Sequence, residues 1–187
     1  MRRVMTGEWL FVSATLQRFE PDWVLSDSWL DRAQTPLLEQ FYQPQDTINR
    51  FADYYWGLSE AFAAPLEGYE AALARAATLT RETADSAFQR PLYNLGGGVH
   101  LAEASDFSQY AARVADIEGV RRAALAAVTL RDAAVAPADV AAALRASELR
   151  NPYDGAPLQW DAADGAIVFL GLERGERGER GERRLHY

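Results

Sequence analysis

Residues 151–171 read Asn-Pro-Tyr-Asp-Gly-Ala-Pro-Leu-Gln-Trp-Asp-Ala-Ala-Asp-Gly-Ala-Ile-Val-Phe-Leu-Gly, and this stretch decides the fold of the chain. An Ala-rich helical pattern gives way here to turn residues and short apolar runs. Pro152 and Pro157 cannot lie inside a helix, and the Asp-Gly pair between them favours a turn. The apolar runs flank a second loop that ends in glycine. This pattern predicts a β-hairpin over about 157–171.

The link between the two hairpin strands is too short for the crossover that a parallel pair requires, so residues 157–161 and 166–170 are predicted to pair antiparallel. Alternation along each strand then divides the side chains between two faces. The face expected to cover the helices carries Leu158, Trp160, Ile167 and Phe169. Tyr153 is expected to pack beside the preceding turn.

The rest of the chain has helical periodicity. Its apolar spacing predicts a mainly α fold, a bundle of four longer and one or two short helices that supports the hairpin. The helices are expected at about 1–20, 35–42, 47–63, 66–86, 106–132 and 137–147. The first should be largely buried because it is apolar on two sides. The helix over 106–132 is expected at the centre of the core, with an inward set of Phe107, Tyr110, Val114, Ile117, Leu125 and Val128.

Two glycine-rich segments are predicted to lie outside the helices. Residues 88–105 are expected to form a loop, since they contain Asn94-Leu95-Gly96-Gly97-Gly98. Such glycines can cradle phosphate, but no Gly-Lys-Ser/Thr follows, which favours a plain connection. The tail over 173–187 repeats Gly-Glu-Arg three times and is predicted to be flexible and dispensable for folding. Residues 1–172 are expected to form one domain.

Composition argues against several functions. The net charge is −8, which is unfavourable for binding nucleic acid. The 19 basic residues are all arginine, so Schiff-base chemistry and a Walker lysine are impossible. Cysteine is absent, and His100 and His186 are the two histidines. We therefore expect no metal site and no cofactor.

The sequence contains no apolar run long enough to span a membrane. Arg2-Arg3 imitates the start of a signal peptide, but Gly7-Glu8 interrupts the apolar run that follows. The localisation stays open between the periplasm or cell envelope, if an export segment was removed, and the cytoplasm.

Aromatic residues on the predicted third helix are the best candidates for a binding site. Phe51 and Tyr55 belong to its apolar stripe, whereas Tyr54 and Trp56 lie off it. Extra aromatics beyond one face indicate either burial on two sides or an exposed anchor for a partner. We consider Tyr54 and Trp56 candidate binding residues.

The same helix carries two acidic residues on one face. Asp53 and Glu60 are seven residues apart, and paired carboxylates can perform acid–base catalysis. In a chain with 27 acidic residues such pairs also arise by chance on a solvated face. We found no nucleophile with a plausible base.

The C-terminal pattern resembles a known family. Asn151-Pro152-Tyr153-Asp154-Gly155, followed by Pro157-Leu158, Ile167-Val168 and Gly171, is similar to the C-terminal part of type II secretion pseudopilins. It also resembles the ends of uncharacterised exported proteins of proteobacteria. The resemblance implies an envelope location, while the many-helix body differs from the single long helix of a pilin.

The sequence thus predicts a non-enzymatic protein-interaction or structural protein, in which a protein partner or self-association is expected. The alternative is a carboxylate-based hydrolase with its site in a helical cleft. The two differ in an observable feature: an enzyme needs converging carboxylates in a cleft, whereas a binding protein needs an exposed apolar or aromatic patch.

Overall fold

The computed structural model of the chain describes residues 2–18, 29–174 and 180–187. The predicted end of the first helix at Glu20-Pro21 and the middle of the tail lie outside this range. Within it, seven helices precede three strands, which confirms a mainly α fold with a small antiparallel β unit at the C-terminus. The elements are α1 (Arg2–Thr15), α2 (Trp29–Gln40), α3 (Pro44–Ala61), α4 (Tyr69–Asp85), α5 (Pro91–Ala102), α6 (Ser108–Asp132), α7 (Val140–Ala146), β1 (Gln159–Asp161), β2 (Ala166–Arg174) and β3 (Arg180–His186).

Contacts group the chain into two compact units, where the sequence predicted one domain over 1–172. Unit 1 comprises Met1–Ala64 and Ala74–Phe107, and unit 2 comprises Pro65–Leu73 and Ser108–Tyr187. The sheet belongs to unit 2.

The core of unit 1 is built on α3. The apolar stripe to which the sequence assigns Phe51 and Tyr55 is buried, and it also contains Ile48 and Leu58. The helix begins with Pro44 at its first turn, where the missing N–H of proline leaves no hydrogen bond unmade. In α3 the periodic apolar face is the one that packs, as the spacing predicts.

The prediction that α1 is buried on two sides is wrong. Helix α1 packs against α3 with Met5 buried, and Leu16 just after the helix is buried as well, while Val4 and Leu10 are exposed. A second apolar face is buried only if another element covers it, and the sequence of the helix does not reveal whether one does.

The segment predicted as a loop over 88–105 contains the helix α5. Asn94 interrupts its helical backbone with φ of −146° and ψ of 61°. A Cβ atom at Gly97 would overlap the side chains of Thr47 and Asn94, and one at Gly98 would lie 2.7 Å from the carbonyl oxygen of Ala87. The glycines therefore allow close packing, and they are not a flexible connection.

Helix α6 forms where predicted, but the face that it buries is not the face expected from the sequence. Its large apolar residues Tyr110, Ile117, Leu125 and Val128 are exposed. The buried face consists mainly of small residues, namely Ser108, Ala111, Ala112, Ala115, Gly119, Ala123, Ala126 and Ala127, together with Asp116. A small-residue face lets a helix approach a sheet closely, and α6 packs against β2.

The sheet has the order β1-β2-β3 with both pairings antiparallel. The predicted pairing of the first two strands is confirmed, with Trp160 opposite Ile167. The prediction of a flexible tail is wrong for residues 180–186, because they form β3 and pair along β2. Arg184 of β3 makes ion pairs with Asp161, Asp164 and Glu182, and composition alone does not predict these contacts.

Candidate functional site

A groove of about 360 Å³ lies between α1 and α3 in unit 1. The lining residues of α1 lie within four positions of one another. Those of α3 follow the i, i+3, i+4, i+7, i+8 spacing, so they share one face of that helix. The lining is mostly apolar and aromatic. It consists of Met5, Thr6, Trp9, Ala52, Tyr55, Trp56, Ser59 and Glu60.

Trp56 lines this groove, and its aromatic ring is exposed. Its residue exposure is 70%, the highest among the large apolar residues of α3. Its neighbour in the lining, Tyr55, is buried and stacks on Phe51 with ring centroids 6.2 Å apart. The groove thus contains one buried aromatic ring, that of Tyr55, and one solvent-exposed ring, that of Trp56.

The electrostatics of the groove are acidic. Burial, with the nearby Glu8 carboxylate as a second cause, raises the pKa of Tyr55 to about 12, so this phenol is neutral at physiological pH. Glu60 is exposed and is the one charged residue of the lining. The groove therefore favours a partner that carries positive charge beside apolar surface.

Trp9 contributes a polar atom that its surroundings leave unsatisfied. Its indole Nε1 is buried and has no hydrogen-bond partner among the described residues. Buried N–H groups are normally paired, and an unpaired one raises the free energy of the empty state. A hydrogen-bond acceptor supplied by a bound molecule would lower that free energy.

The two candidate binding residues have different environments. Tyr54 is buried, and its hydroxyl donates a 2.5 Å hydrogen bond to the carbonyl oxygen of Ser105. A second contact of 3.0 Å joins this hydroxyl to that of Thr80. Burial is the main cause that raises the pKa of Tyr54. Tyr54 therefore packs inside unit 1, which is the burial alternative given for the extra aromatics, whereas Trp56 is accessible.

The acidic pair proposed for catalysis does not converge at the groove. Asp53 is exposed and is absent from the lining, which contains Glu60 alone of the two. The groove therefore lacks the pair of carboxylates that the enzymatic alternative requires of it.

Asn94, which the sequence placed in a possible phosphate loop, serves a structural network. Its Oδ1 atom accepts 3.0 Å hydrogen bonds from the backbone N–H groups of Gln43 and Gly97. Its Nδ2 atom donates to Asp46 and Thr47 at 2.8 and 3.0 Å. Because Asn94 already accepts from Gly97, that amide is not free to cradle a phosphate.

A buried carboxylate in unit 2 was missed by sequence reasoning. Asp116 accepts a 2.6 Å hydrogen bond from the Tyr153 hydroxyl. The backbone N–H groups of Leu172 and Glu173 donate to it at 2.8 and 3.0 Å. The neighbouring Arg121 and Arg122 pair with Glu118. The signal in the sequence was that Asp116 lies among alanines on one face of α6.

The part of the chain that the structure describes holds no group of three or more His, Cys, Asp or Glu residues that could bind a metal ion. Within that same part, no helix has both the length and the apolar character needed to cross a membrane.

Comparison of the chain with known protein families, with curated proteins and with solved structures gives no match. The groove and the surfaces around it therefore have to be interpreted from their own chemistry.

Proposed function

We propose that this chain is a non-enzymatic protein-binding protein, and that the groove between α1 and α3 holds an apolar side chain of a partner. The observation that carries the proposal is the exposed ring of Trp56 beside the apolar lining. Exposed tryptophans next to apolar pockets are frequent anchors in protein interfaces.

The charge of the groove indicates the chemistry of the partner. Glu60 lines the groove, Glu8 lies close enough to affect Tyr55, and the chain has a net charge of −8. A partner segment with an aliphatic or aromatic residue next to Lys or Arg would bury the first in the groove and pair the second with the carboxylates. A guanidinium could also stack on the Trp56 ring.

Peptide selection tests this proposal. A library of random short peptides displayed on phage is selected on the full chain, and the affinity of the enriched peptides is measured by calorimetry. We expect enrichment of apolar residues next to Lys or Arg. Trp56→Ala should weaken binding at least about 10-fold, because hot-spot aromatic residues contribute about 2 kcal/mol or more.

A matched control separates the groove from the rest of the surface. Leu92 on α5 is also highly exposed but does not line the groove, so Leu92→Ala should bind the same peptides as the wild type. Glu60→Gln should reduce the preference for basic peptides and the sensitivity of binding to salt. Peptides that bind Trp56→Ala as well as the wild type would refute the proposal.

The envelope location implied by the resemblance of residues 151–171 is also a proposal. Fractionation of bacteria that express the chain from its native gene tests it. Recovery in the cytosolic fraction alone would contradict it.

A further inference from the structure

The connection between α4 and α5 exposes six consecutive residues, 88–93, which read Phe-Gln-Arg-Pro-Leu-Tyr. We call this segment the corner. Leu92 is 84% exposed, the highest value among the large apolar residues that the structure describes, and Phe88 and Tyr93 are each about half exposed. The corner therefore presents apolar side chains on both sides of a basic one, Arg90.

Both ends of the corner are fixed to the body of unit 1. Just before it, the carbonyl oxygen of Ser86 accepts a 2.7 Å hydrogen bond from Nη2 of Arg50. Just after it, Asn94 is buried in the hydrogen-bond network described above. Pro91 restricts the backbone between these two points. A segment held in this way loses little conformational entropy when it binds, which favours its use as a docking element.

The corner has the chemistry that the groove between α1 and α3 favours, an apolar side chain next to a positive charge. Leu92 follows Arg90 by two positions. Arg90 and Glu60 are both exposed. Within the described residues, neither of their side chains makes an ion pair or a hydrogen bond. Both charges are therefore available to pair with each other across an interface.

The corner does not reach the groove of its own chain. Gly57 of α3 faces α4, since a Cβ atom there would lie 3.1 Å from Leu79, and Arg50 shares this face because it lies seven positions earlier. Two positions turn a helix by about 200°, so Ser59 in the groove lining lies on the opposite side of α3 from Gly57. The corner begins beside Arg50, on the α4 side, and its ends are fixed there.

From this match of shape and charge, we propose that the groove holds the corner of a second copy of this chain, with Leu92 against the apolar lining and Arg90 beside Glu60. The inference rests on the binding role proposed for the groove and names its partner. The contact is heterologous, since the corner of one copy meets the groove of another. Copies can therefore add one after another or close into a ring.

The size of the contact sets the expected strength of association. Six residues are far fewer than the roughly 20–30 residues that each partner contributes to a standard interface, so we expect weak, concentration-dependent association. Light scattering coupled to size-exclusion chromatography from about 1 µM to about 1 mM should show the mass rising above the 20.8 kDa of one chain. A wild type that stays monomeric at the highest concentration would overturn the proposal.

A mixture of two variants tests the contact directly. Leu92→Glu damages the corner and leaves the groove intact, whereas Trp56→Ala damages the groove and leaves the corner intact. Each protein alone should stay at the monomer mass at concentrations where the wild type associates. Mixed in equal amounts, they should form a heterodimer and nothing larger, because the remaining corner and groove are both defective. A mixture as monomeric as its components would refute the contact.

A matched control separates the corner from other exposed apolar residues. Ile117 on α6 is also exposed and belongs to neither the groove nor the corner, so Ile117→Glu should associate like the wild type. Circular dichroism establishes that each variant is folded. If Ile117→Glu abolishes association while Leu92→Glu does not, the corner is not the element that joins the copies.

A charge exchange tests the pairing of Arg90 with Glu60. Arg90→Glu and Glu60→Arg each place like charges together, so each should weaken association by about 3- to 10-fold. Both substitutions in one chain restore opposite charges, and association should recover. A folded double variant that associates as weakly as the single variants would contradict this pairing.

The selected peptides distinguish this inference from the proposed function of the groove. Peptides that bind in the groove should compete with the corner and return the wild type to the monomer mass. If such peptides bind but the wild type never associates, the second copy is excluded as the partner and the function of the groove stands. If the peptides bind Trp56→Ala as well as the wild type, the groove itself is refuted, and this inference fails with it.

Discussion

The ring of Phe169 on β2 occupies the space in which a side chain of Gly119 on α6 would lie, since a Cβ atom there would overlap its Cζ, Cε1 and Cε2 atoms. The absence of a side chain at this position lets α6 lie close to the sheet. Phe169 is fully buried as a result.

Gly119→Ala should destabilise the protein by about 1–3 kcal/mol, because the added methyl overpacks a filled core. This loss should exceed the helix-propensity gain of about 1 kcal/mol. Denaturant unfolding measures the change. Gly7→Ala on α1 is the control, since no atom lies within 4 Å of its Cβ, and it should stabilise by about 0.5–1 kcal/mol. A Gly119→Ala variant as stable as the wild type would contradict the packing argument.

Asp116→Ala should cost about 3–5 kcal/mol of unfolding free energy, because three donors lose their acceptor and a buried unsatisfied donor costs about 1–3 kcal/mol. The substitution leaves the Tyr153 hydroxyl and two backbone N–H groups without their acceptor. Tyr153→Phe removes one of the three hydrogen bonds and should cost about 1–2 kcal/mol. Equal costs for the two variants in urea titrations would show that the backbone contacts contribute nothing.

Deletion of residues 180–187 should lower the melting temperature by about 5 °C or more, which corresponds to a loss of roughly 2 kcal/mol in a protein of this size. The deletion removes β3 from the sheet. It also removes Tyr187, whose hydroxyl donates a 2.6 Å hydrogen bond to the carbonyl oxygen of Val135 and whose ring packs edge-on against Trp160.

Calorimetry on the truncated and full chains measures this difference. The control is a chain in which the last eight residues are shuffled, which keeps composition and charge but loses the register with β2. It should melt like the deletion. An unchanged melting temperature would restore the view of a dispensable tail.

Acidification should destabilise the protein through His100. Burial lowers the pKa of this imidazole from 6.5 to about 4. The unfolded chain therefore takes up a proton below pH 6.5, which the folded chain does not do until about pH 4. The stabilisation is complete above pH 6.5 and is lost as the pH falls toward 4, by up to about 3 kcal/mol.

The comparison of wild type with His100→Gln, by urea unfolding at several pH values, isolates this contribution. The decline in stability between pH 6.5 and 4 should be smaller in His100→Gln than in the wild type. Parallel curves for the wild type and His100→Gln would exclude His100 as the cause.

Ile117→Ala should change the unfolding free energy by less than about 0.5 kcal/mol when measured in dilute solution, because the side chain is exposed on α6. The inward orientation predicted from the sequence would instead require a loss of about 2–4 kcal/mol. Chemical denaturation decides between the two.

Local features of the sequence determined the class of fold and much of α3 and the hairpin. The stripe from Ile48 to Leu58 and the turn residues around Gly165 act over a few neighbouring positions, so their consequences can be worked out without knowing what lies nearby. Pro152 and Pro157 exclude a helix at this point, and the short link between the strands excludes a parallel pairing.

Tertiary structure decided which face of each element is buried. The sequence of α6 offers a large apolar face and a small-residue face. The choice depends on contacts with distant parts of the chain, those of Gly119 with Phe169 and of Asp116 with the backbone of Leu172. The same holds for α5, in which Gly97 packs closely against Thr47. It also holds for β3, whose charged residues form a strand because β2 is there to pair with. Trp56 and Tyr54, two positions apart, differ in exposure for this reason. Periodicity specifies which side chains share a face, whereas burial is a property of two surfaces and requires both to be known.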